Sequence, residues 1–398
     1  MSAPSLTANE DYQSLLQRVQ KISLQVGGGA ALLCVLGALL TPEQFYPAYL
    51  VGYLYWWSIT LGCLSIALLQ RLTGGGWGMV LRRLLESATA TLPLMALLFL
   101  PILLGMNELY VWSVPEVREV DHLIQRKADY LNVQGFQLRA LIYFALWLLF
   151  GLLMNRWSAR ETDHVHDTWR HRLIALGGPG LIVYVLTVTL ASVDWVMSLE
   201  PHWFSSMYGV LHVGGNAVSG MSFVVLCAIL LQRFGPWKEH VTVERWHDMG
   251  NLMLAFVMFW AYVNYMQFLI IWGANLPEET PWYVYRLAGG WQWVGLLLAV
   301  LHFILPFLLL LSRDMKRDPS GLQKVVCILL VMRLVDLIWL VMPSFTPAHL
   351  SFNWVVPVAP VAVGGLWLAT FTRSLLHRAP IPVYELSEET QQKEAEDE

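Results

Sequence analysis

Residues 259–286 read FWAYVNYMQFLIIWGANLPEETPWYVYR, and this stretch decides what kind of fold the chain can adopt. It begins as an apolar segment and ends as a polar one. Trp260, Asn264, Gln267 and Ile271 recur at helical spacing, so they lie on one face of a helix. Because an unpaired amide in apolar surroundings is costly, the two amides must be bonded to neighbouring helices or face a polar ligand. The stretch therefore predicts a membrane helix with a polar face.

The polar half of this stretch ends the helix at the membrane edge. Pro277 follows the last apolar turn, and Glu278 and Glu279 form a carboxylate pair beyond it. The aromatic residues that follow are typical of the belt at a membrane–water interface: Trp282, Tyr283 and Tyr285. The alternative interpretation of each polar residue here is an interhelical hydrogen bond or a capping contact.

The composition extends this prediction to the whole chain. Of the 398 residues, 56% are hydrophobic and 14% are charged, and the mean hydropathy is +0.51. Soluble domains average roughly 25% charged residues. We predict an all-α polytopic membrane protein of about ten transmembrane helices. These lie near residues 24–40, 46–70, 87–105, 138–156, 174–197, 206–232, 250–272, 289–312, 323–343 and 354–377.

The predicted spans group into one membrane domain. It covers residues 23–378, between an N-terminal segment at 1–22 and an acidic tail at 379–398. Spans two to five and six to nine repeat the same orientations in the same order. This internal repeat predicts two four-helix bundles, at about 46–197 and 206–343, flanked by the first and last spans.

The basic residues predict the orientation. Loops on the N-terminal side hold 19 of the 25 Lys and Arg residues, the other side holds five, and Arg333 is left inside the membrane. By the positive-inside rule, both termini are cytoplasmic and the protein lies in the cytoplasmic (inner) membrane. No cleaved signal peptide is evident.

Smaller features complete the pattern. In residues 77–86 the apolar side chains share one helix face and the charged side chains share the other. This pattern predicts an amphipathic helix that lies in the membrane interface. The loop at 106–137 is either a plain surface loop or a docking surface for a partner. Four cysteines lie in apolar runs without a CxxC pair, and we interpret them as small core residues: Cys34, Cys63, Cys227 and Cys327.

Ionisable groups inside the spans are candidates for function. Arg333 and Asp336 are three residues apart and can meet on one helix face, either as a structural ion pair or as part of a proton relay. His302 lies in the neighbouring span, where a packing role and a proton-transfer role are both open. Glu278 and Glu279 are candidates for passing protons outward.

A second group of polar residues falls near the outer ends of several spans. Asp194, His212, Asn264 and Gln267 could surround a quinone head, which needs polar partners for its two oxygens and a nearby proton acceptor. Spacing alone does not separate this from the substrate pocket of a transporter. A bis-histidine haem is disfavoured, because His212 and His302 differ in depth by on the order of 10 Å. We therefore expect no covalently bound or metal-ligated cofactor.

Four motifs resemble a known family of membrane subunits. They are DWVMSLEPHWFSSMYG at 194–209, FWAYVNYMQFLIIWGANLPEET at 259–280, GGGWGMVLRRLLE at 74–86 and MRLVD at 332–336. The chain is similar to NrfD/PsrC-type subunits, and most of all to the ActF-type quinone-binding subunit 2 of alternative complex III. The resemblance covers most of the chain.

The resemblance implies a ten-helix subunit, without redox cofactors, of a respiratory quinol:cytochrome c oxidoreductase. Its partners would be a multihaem cytochrome c, an iron–sulfur protein and a homologous ActC-type membrane subunit. The electrons would pass to the iron–sulfur and c-haem partners. Its substrate would be quinol or menaquinol, bound at the outer level of Asp194, His212 and Gln267. Proton conduction through His302, Arg333 and Asp336 is equally consistent. The alternatives are a secondary transporter and a purely structural membrane anchor.

Overall fold

The computed structural model describes residues 10–163, 167–234, 237, 241–350 and 353–378, without the side chains of 162, 163 and 167. Within these residues all regular structure is helical. Ten helices are long and apolar enough to cross a membrane, which confirms the predicted all-α polytopic fold. The predicted acidic tail at 379–398 lies outside the described residues, as do residues 1–9.

The ten helices are numbered here in chain order. Two are irregular: tight turns interrupt α3 near Pro93 and Pro101, and α8 contains a widened π-type turn over Leu298–Ile304. The bounds are α1 Glu10–Leu40, α2 Pro42–Thr73, α3 Gly76–Leu104, α4 Val133–Asp163, α5 Asp167–Trp195, α6 Tyr208–Leu231, α7 Val243–Ala274, α8 Trp291–Leu311, α9 Pro319–Val341 and α10 Val355–Leu376.

Several helices continue beyond the predicted spans. The first begins at Glu10 and the seventh at Val243, well before their apolar windows. Apolar length reports only the part of a helix that needs a hydrocarbon environment. The polar turns continue the same backbone hydrogen bonding outside that part, so the sequence underestimates helix length.

The helices pack as two rings of four with a pair alongside. In the first ring, α2 contacts α3 and α5, and α4 contacts α3 and α5. In the second, α6 contacts α7 and α9, and α8 contacts α7 and α9. The pair of α1 and α10 packs mainly on α2, and α2 also packs against α6. This is the packing of two four-helix bundles with two flanking helices.

Glycines allow the central helices to approach closely. A Cβ atom on Gly62 of α2 would lie 1.9 Å from the carbonyl oxygen of Asn216 on α6, and Gly220 faces the same contact. Gly27 of α1 meets Gly365 of α10 in the same way. In lipid there is no hydrophobic driving force that brings helices together. Small residues at such crossings allow the close van der Waals packing that holds the helices instead.

The pairing of α1 with α10 fixes where the chain ends lie. Gly27 faces Gly365, and Gly37 lies beside Val355, so the two helices are antiparallel. The start of α1 and the end of α10 are therefore on one face of the molecule, called here the termini face. The opposite face is called the distal face.

The prediction of an interfacial helix at 77–86 is wrong. This segment is the buried first part of α3. Glu86 accepts from Arg378 at 3.0 Å, and Arg82 pairs with Glu161 of α4. A charged helix face fits lipid head groups and a buried charge cluster equally well, and only the packing of α2, α4 and α10 around α3 decides between them.

The cysteine prediction holds only in part. Cys34 and Cys63 are buried, Cys227 is half-buried and Cys327 is exposed on the surface of α9. All four are free thiols. The core interpretation is wrong for Cys327, because an apolar run in a membrane helix includes residues that face lipid as well as residues that face the bundle.

Candidate functional site

A cavity of about 400 Å³ lies in the distal half of the second bundle, between α7, α8 and α9. Most of its wall is aromatic and aliphatic. Its polar groups are the amide of Asn264, the hydroxyl of Tyr283 and the carboxylate of Asp336, together with the indoles of Trp260 and Trp339. Apolar cavities with a few polar groups are the usual form of small-molecule sites.

The cavity opens sideways at the surface of the helical bundle. Tyr265 of α7 and Leu287, before α8, line it and are 58% and 55% exposed. Ala299 of α8 lies at the same opening and is also exposed. Because all three residues belong to or flank membrane-spanning helices, the opening faces lipid, and an apolar molecule in the membrane can reach it directly.

The cavity ends inward at a buried ion pair. Asp336 is 1% exposed and Arg333 is fully buried, and the Arg333 guanidinium donates to the Asp336 carboxylate. This confirms that the two residues meet on one face of α9. Arg333 Nη2 also donates to Ser58 Oγ of α2 at 3.3 Å. The pair therefore links the cavity in the second bundle to the first bundle.

A glycine on α6 makes room for this arginine. A Cβ atom on Gly215 would lie 2.4 Å from Arg333 Cζ, a distance shorter than real Cβ atoms show. The neighbouring Gly214 faces Phe259 instead, at a tight but less severe 3.2 Å. The guanidinium thus packs against the bare backbone of α6. A larger residue at position 215 would force the guanidinium or the backbone of α6 to shift.

The two indoles bring donors to the cavity. Trp339 Nε1 is buried and has no hydrogen-bond partner among the described residues, whereas Trp260 Nε1 is buried beside the Asp336 carboxylate. Asn264 Nδ2 donates to the Trp260 carbonyl oxygen at 2.8 Å, which fixes the amide on its own helix. Buried donors without partners are uncommon, since each costs the free energy of its lost hydration. A ligand with an acceptor oxygen would satisfy the indole of Trp339.

Gln267 acts from behind the cavity wall. Ser205 Oγ donates to Gln267 Oε1 at 2.9 Å, and Gln267 Nε2 donates to the Tyr283 hydroxyl at 3.3 Å. Burial raises the pKa of Tyr283 to about 12, so its phenol stays neutral and keeps its proton. Gln267 therefore holds a hydrogen-bond donor at the cavity wall.

His302 lies on the far side of Trp260. Its ring lies in the widened turn of α8 and packs on the indole, with the centroids 4.0 Å apart and the ring planes tilted by 35°. Both ring nitrogens are buried and have no hydrogen-bond partner among the described residues. Such turns are frequent at functional sites. The histidine is one ring away from the cavity.

Asp194 lies in the first bundle, away from this cavity. Arg139 of α4 donates to both carboxylate oxygens, at 2.9 and 3.0 Å, and the Tyr143 hydroxyl donates at 2.8 Å. A bidentate arginine and a phenol thus satisfy the hydrogen-bond acceptors of this carboxylate. This is the geometry of a structural ion pair between α4 and α5.

The other predicted residues are also separated from the cavity. His212 is buried in α6, with its ring centroid 6.5 Å from that of Trp57 and 5.2 Å from that of Tyr208. Glu278 is exposed and Glu279 is half-buried, both beyond the end of α7. The four residues predicted to surround a quinone head are therefore not brought together: of them only Asn264 lines the cavity, with Gln267 behind it. Asp336, which the sequence assigned to the proton path, lines the same cavity.

Arg286 is the main residue that the sequence did not single out. It is fully buried, although it lies in the loop before α8. Its guanidinium donates to Glu200 at 3.1 Å and to the carbonyl oxygens of Trp339 and Leu340 at 3.2 and 2.7 Å. It also stacks over Trp282 at 3.6 Å. In sequence it appears as one more loop charge beside an aromatic belt.

The residues define a polytopic helical membrane protein with a lipid-facing cavity. No protein-family model matches the chain, and none of the curated proteins compared with it matches. Within the described residues, no group of three His, Cys, Asp or Glu side chains could hold a metal ion.

Proposed function

We propose that this chain is an integral membrane subunit of a quinol:electron-acceptor oxidoreductase of the alternative complex III type. The quinol head group binds in the cavity between α7, α8 and α9. One observation carries this proposal: a buried carboxylate, Asp336, stands at the inner end of an apolar cavity that opens to lipid. The motif resemblance at 194–209 and 259–280 supports it independently.

The cavity suits the shape and polarity of a quinol. A quinol head carries two hydroxyl groups at opposite ends of a flat ring, and its tail is apolar. One hydroxyl would donate to Asp336, and the other would meet Tyr283 or Asn264 nearer the opening. The aromatic wall would stack on the ring. The tail would leave between Tyr265 and Leu287 into the bilayer, which avoids burying it in the protein.

The arrangement also suits removal of a proton. Oxidation of a quinol releases two electrons and two protons, and a general base must lie within hydrogen-bond reach of the hydroxyl. Asp336 supplies that base, and Arg333 stabilises its ionised form before the quinol binds. The two electrons would pass to iron–sulfur or c-type haem groups on partner subunits.

Proton conduction is a second candidate function, favoured by a different observation. Arg333 connects Asp336 to Ser58 across the contact between the bundles, so polar groups continue from the cavity toward the centre of the molecule. The two functions are compatible, because a proton taken from quinol at Asp336 would enter this path.

A photoreactive azidoquinone tests the quinol site directly. In the complex isolated through a tag on this chain, we expect label on peptides of α7 and α8, and competition by unlabelled quinol. Ala299→Trp should fill the opening and abolish this label. Val300→Trp is the matched control, because Val300 is the next residue, is 40% exposed and does not line the cavity. Label that survives Ala299→Trp, or that falls on α4 and α5, contradicts the site.

A further inference from the structure

We propose that a second cavity, at the distal end of α5, binds the head group of an anionic phospholipid. This distal cleft has a volume of about 400 Å³ and is separate from the quinol cavity. Its wall combines apolar residues from the end of α5 with basic residues from the loop between α3 and α4. Arg126, Lys127, Val193 and Phe204 are the residues that carry the proposal.

The floor of the distal cleft continues the membrane-facing surface of α5. Ile182, Leu186 and Leu190 follow one another at helical spacing and are 64%, 58% and 42% exposed. Val193 and Met197 extend this stripe by one further turn each and line the cleft. An acyl chain lying along α5 would therefore lead into the cleft without crossing a polar surface.

Two basic side chains stand where the phosphate of such a lipid would lie. Arg126 ends the short helix His122–Arg126 and is exposed, and Lys127 follows it and is half-buried. Lys127 Nζ donates to the Pro201 carbonyl oxygen at 2.5 Å and lies 5.7 Å from the Phe204 ring centroid. These contacts hold the ammonium in place, and its other N–H groups can donate to a phosphate oxygen.

The charge of the cleft selects against other occupants. Asp129 also lines it, so the two cations are offset by one carboxylate and the site retains one positive charge. A zwitterionic lipid would bring its own cation to this rim. Free phosphate would match the charge but leave the floor and Phe204 exposed to water. A phospholipid with a net negative charge matches both parts.

Native mass spectrometry of the full chain in mild detergent tests this proposal. We expect dioctanoyl phosphatidylglycerol to remain bound and to raise the melting temperature, and dioctanoyl phosphatidylcholine to bind several-fold less. Arg126→Gln should weaken phosphatidylglycerol binding about fivefold, and Lys127→Gln at least as much. Arg118→Gln, which removes an exposed charge from the same loop outside the cleft, should leave binding unchanged.

Three outcomes would overturn the proposal. The first is equal binding of the two lipids by the unaltered protein. The second is retention of phosphatidylglycerol by Arg126→Gln at the level of Arg118→Gln. The third is a shift of the melting temperature by inorganic phosphate as large as that by phosphatidylglycerol. Lys127→Gln removes the hydrogen bond to the Pro201 carbonyl oxygen and could therefore impair folding. Arg126 does not make that contact, so Arg126→Gln tests the proposal even if Lys127→Gln does not fold.

Discussion

At the residue scale, the Arg333–Asp336 pair is a buried ion pair that also borders the cavity. A buried ion pair recovers its desolvation cost only when its remaining hydrogen bonds are satisfied. On the arginine side, Ser58 Oγ accepts one further hydrogen bond, whereas Arg333 Nε has no hydrogen-bond partner among the described residues. On the aspartate side, the cavity leaves room for a ligand. The carboxylate is therefore paired and still accessible to a ligand in the cavity.

We predict that Asp336→Asn lowers the turnover of quinol oxidation by about 10²-fold or more, since an amide cannot accept the proton. Asp194→Asn is the matched control, because Asp194 is also a buried aspartate paired with an arginine. Steady-state rates should be normalised to the amount of assembled complex. If Asp194→Asn shows the larger loss of turnover, the quinol site lies in the first bundle instead.

At the element scale, the segment between α7 and α8 forms the rim of the cavity. The short helix Pro281–Arg286 contributes Tyr283, and Leu287 follows it. Trp203 stacks on Trp282 at 4.8 Å and donates to the Glu279 carbonyl oxygen at 3.1 Å. Arg286 then joins this segment to the end of α9. The rim is thus held by contacts with two other parts of the chain.

We predict that Arg286→Lys destabilises the protein by about 2–4 kcal/mol. The single ammonium of lysine cannot replace a planar guanidinium that donates to Glu200 and to two carbonyl oxygens. The quinol KM should rise as the rim loosens, with little change in turnover. Arg313→Lys, in an exposed turn on the termini face, should change neither. An unchanged melting temperature and KM for Arg286→Lys would show that the rim does not depend on this contact.

At the scale of the whole molecule, the contact of α2 with α6 holds the two bundles together. We predict that Gly62→Ala lowers stability by about 1–3 kcal/mol, because the new methyl group would meet the backbone of α6. Gly28→Ala should be neutral or stabilising, since its Cβ would meet nothing within 4 Å and alanine favours helix. Thermal unfolding followed by tryptophan fluorescence would measure both. A Gly62→Ala protein as stable as Gly28→Ala would contradict this description of the interface.

The positive-inside rule predicts that the termini face is cytoplasmic. A green fluorescent protein fused to the C-terminus should then fluoresce, and an alkaline phosphatase fused there should be inactive. Fusions of the same reporters after α7, on the distal face, should give the opposite pattern. Active phosphatase at the C-terminus would invert the orientation and place the cavity on the cytoplasmic side.

The sequence by itself determined the ten spans, because burying a backbone in lipid leaves few structures besides the helix. It also determined local pairs such as Arg333–Asp336, since residues three apart share a helix face. Only the tertiary structure decided which faces meet. That choice put Asn264 and Asp336 in one cavity, paired Asp194 with Arg139, and buried Arg286 and the charged face of α3. Helical periodicity records how polar a face is, and the neighbouring helices decide whether that face meets water, lipid or another charge.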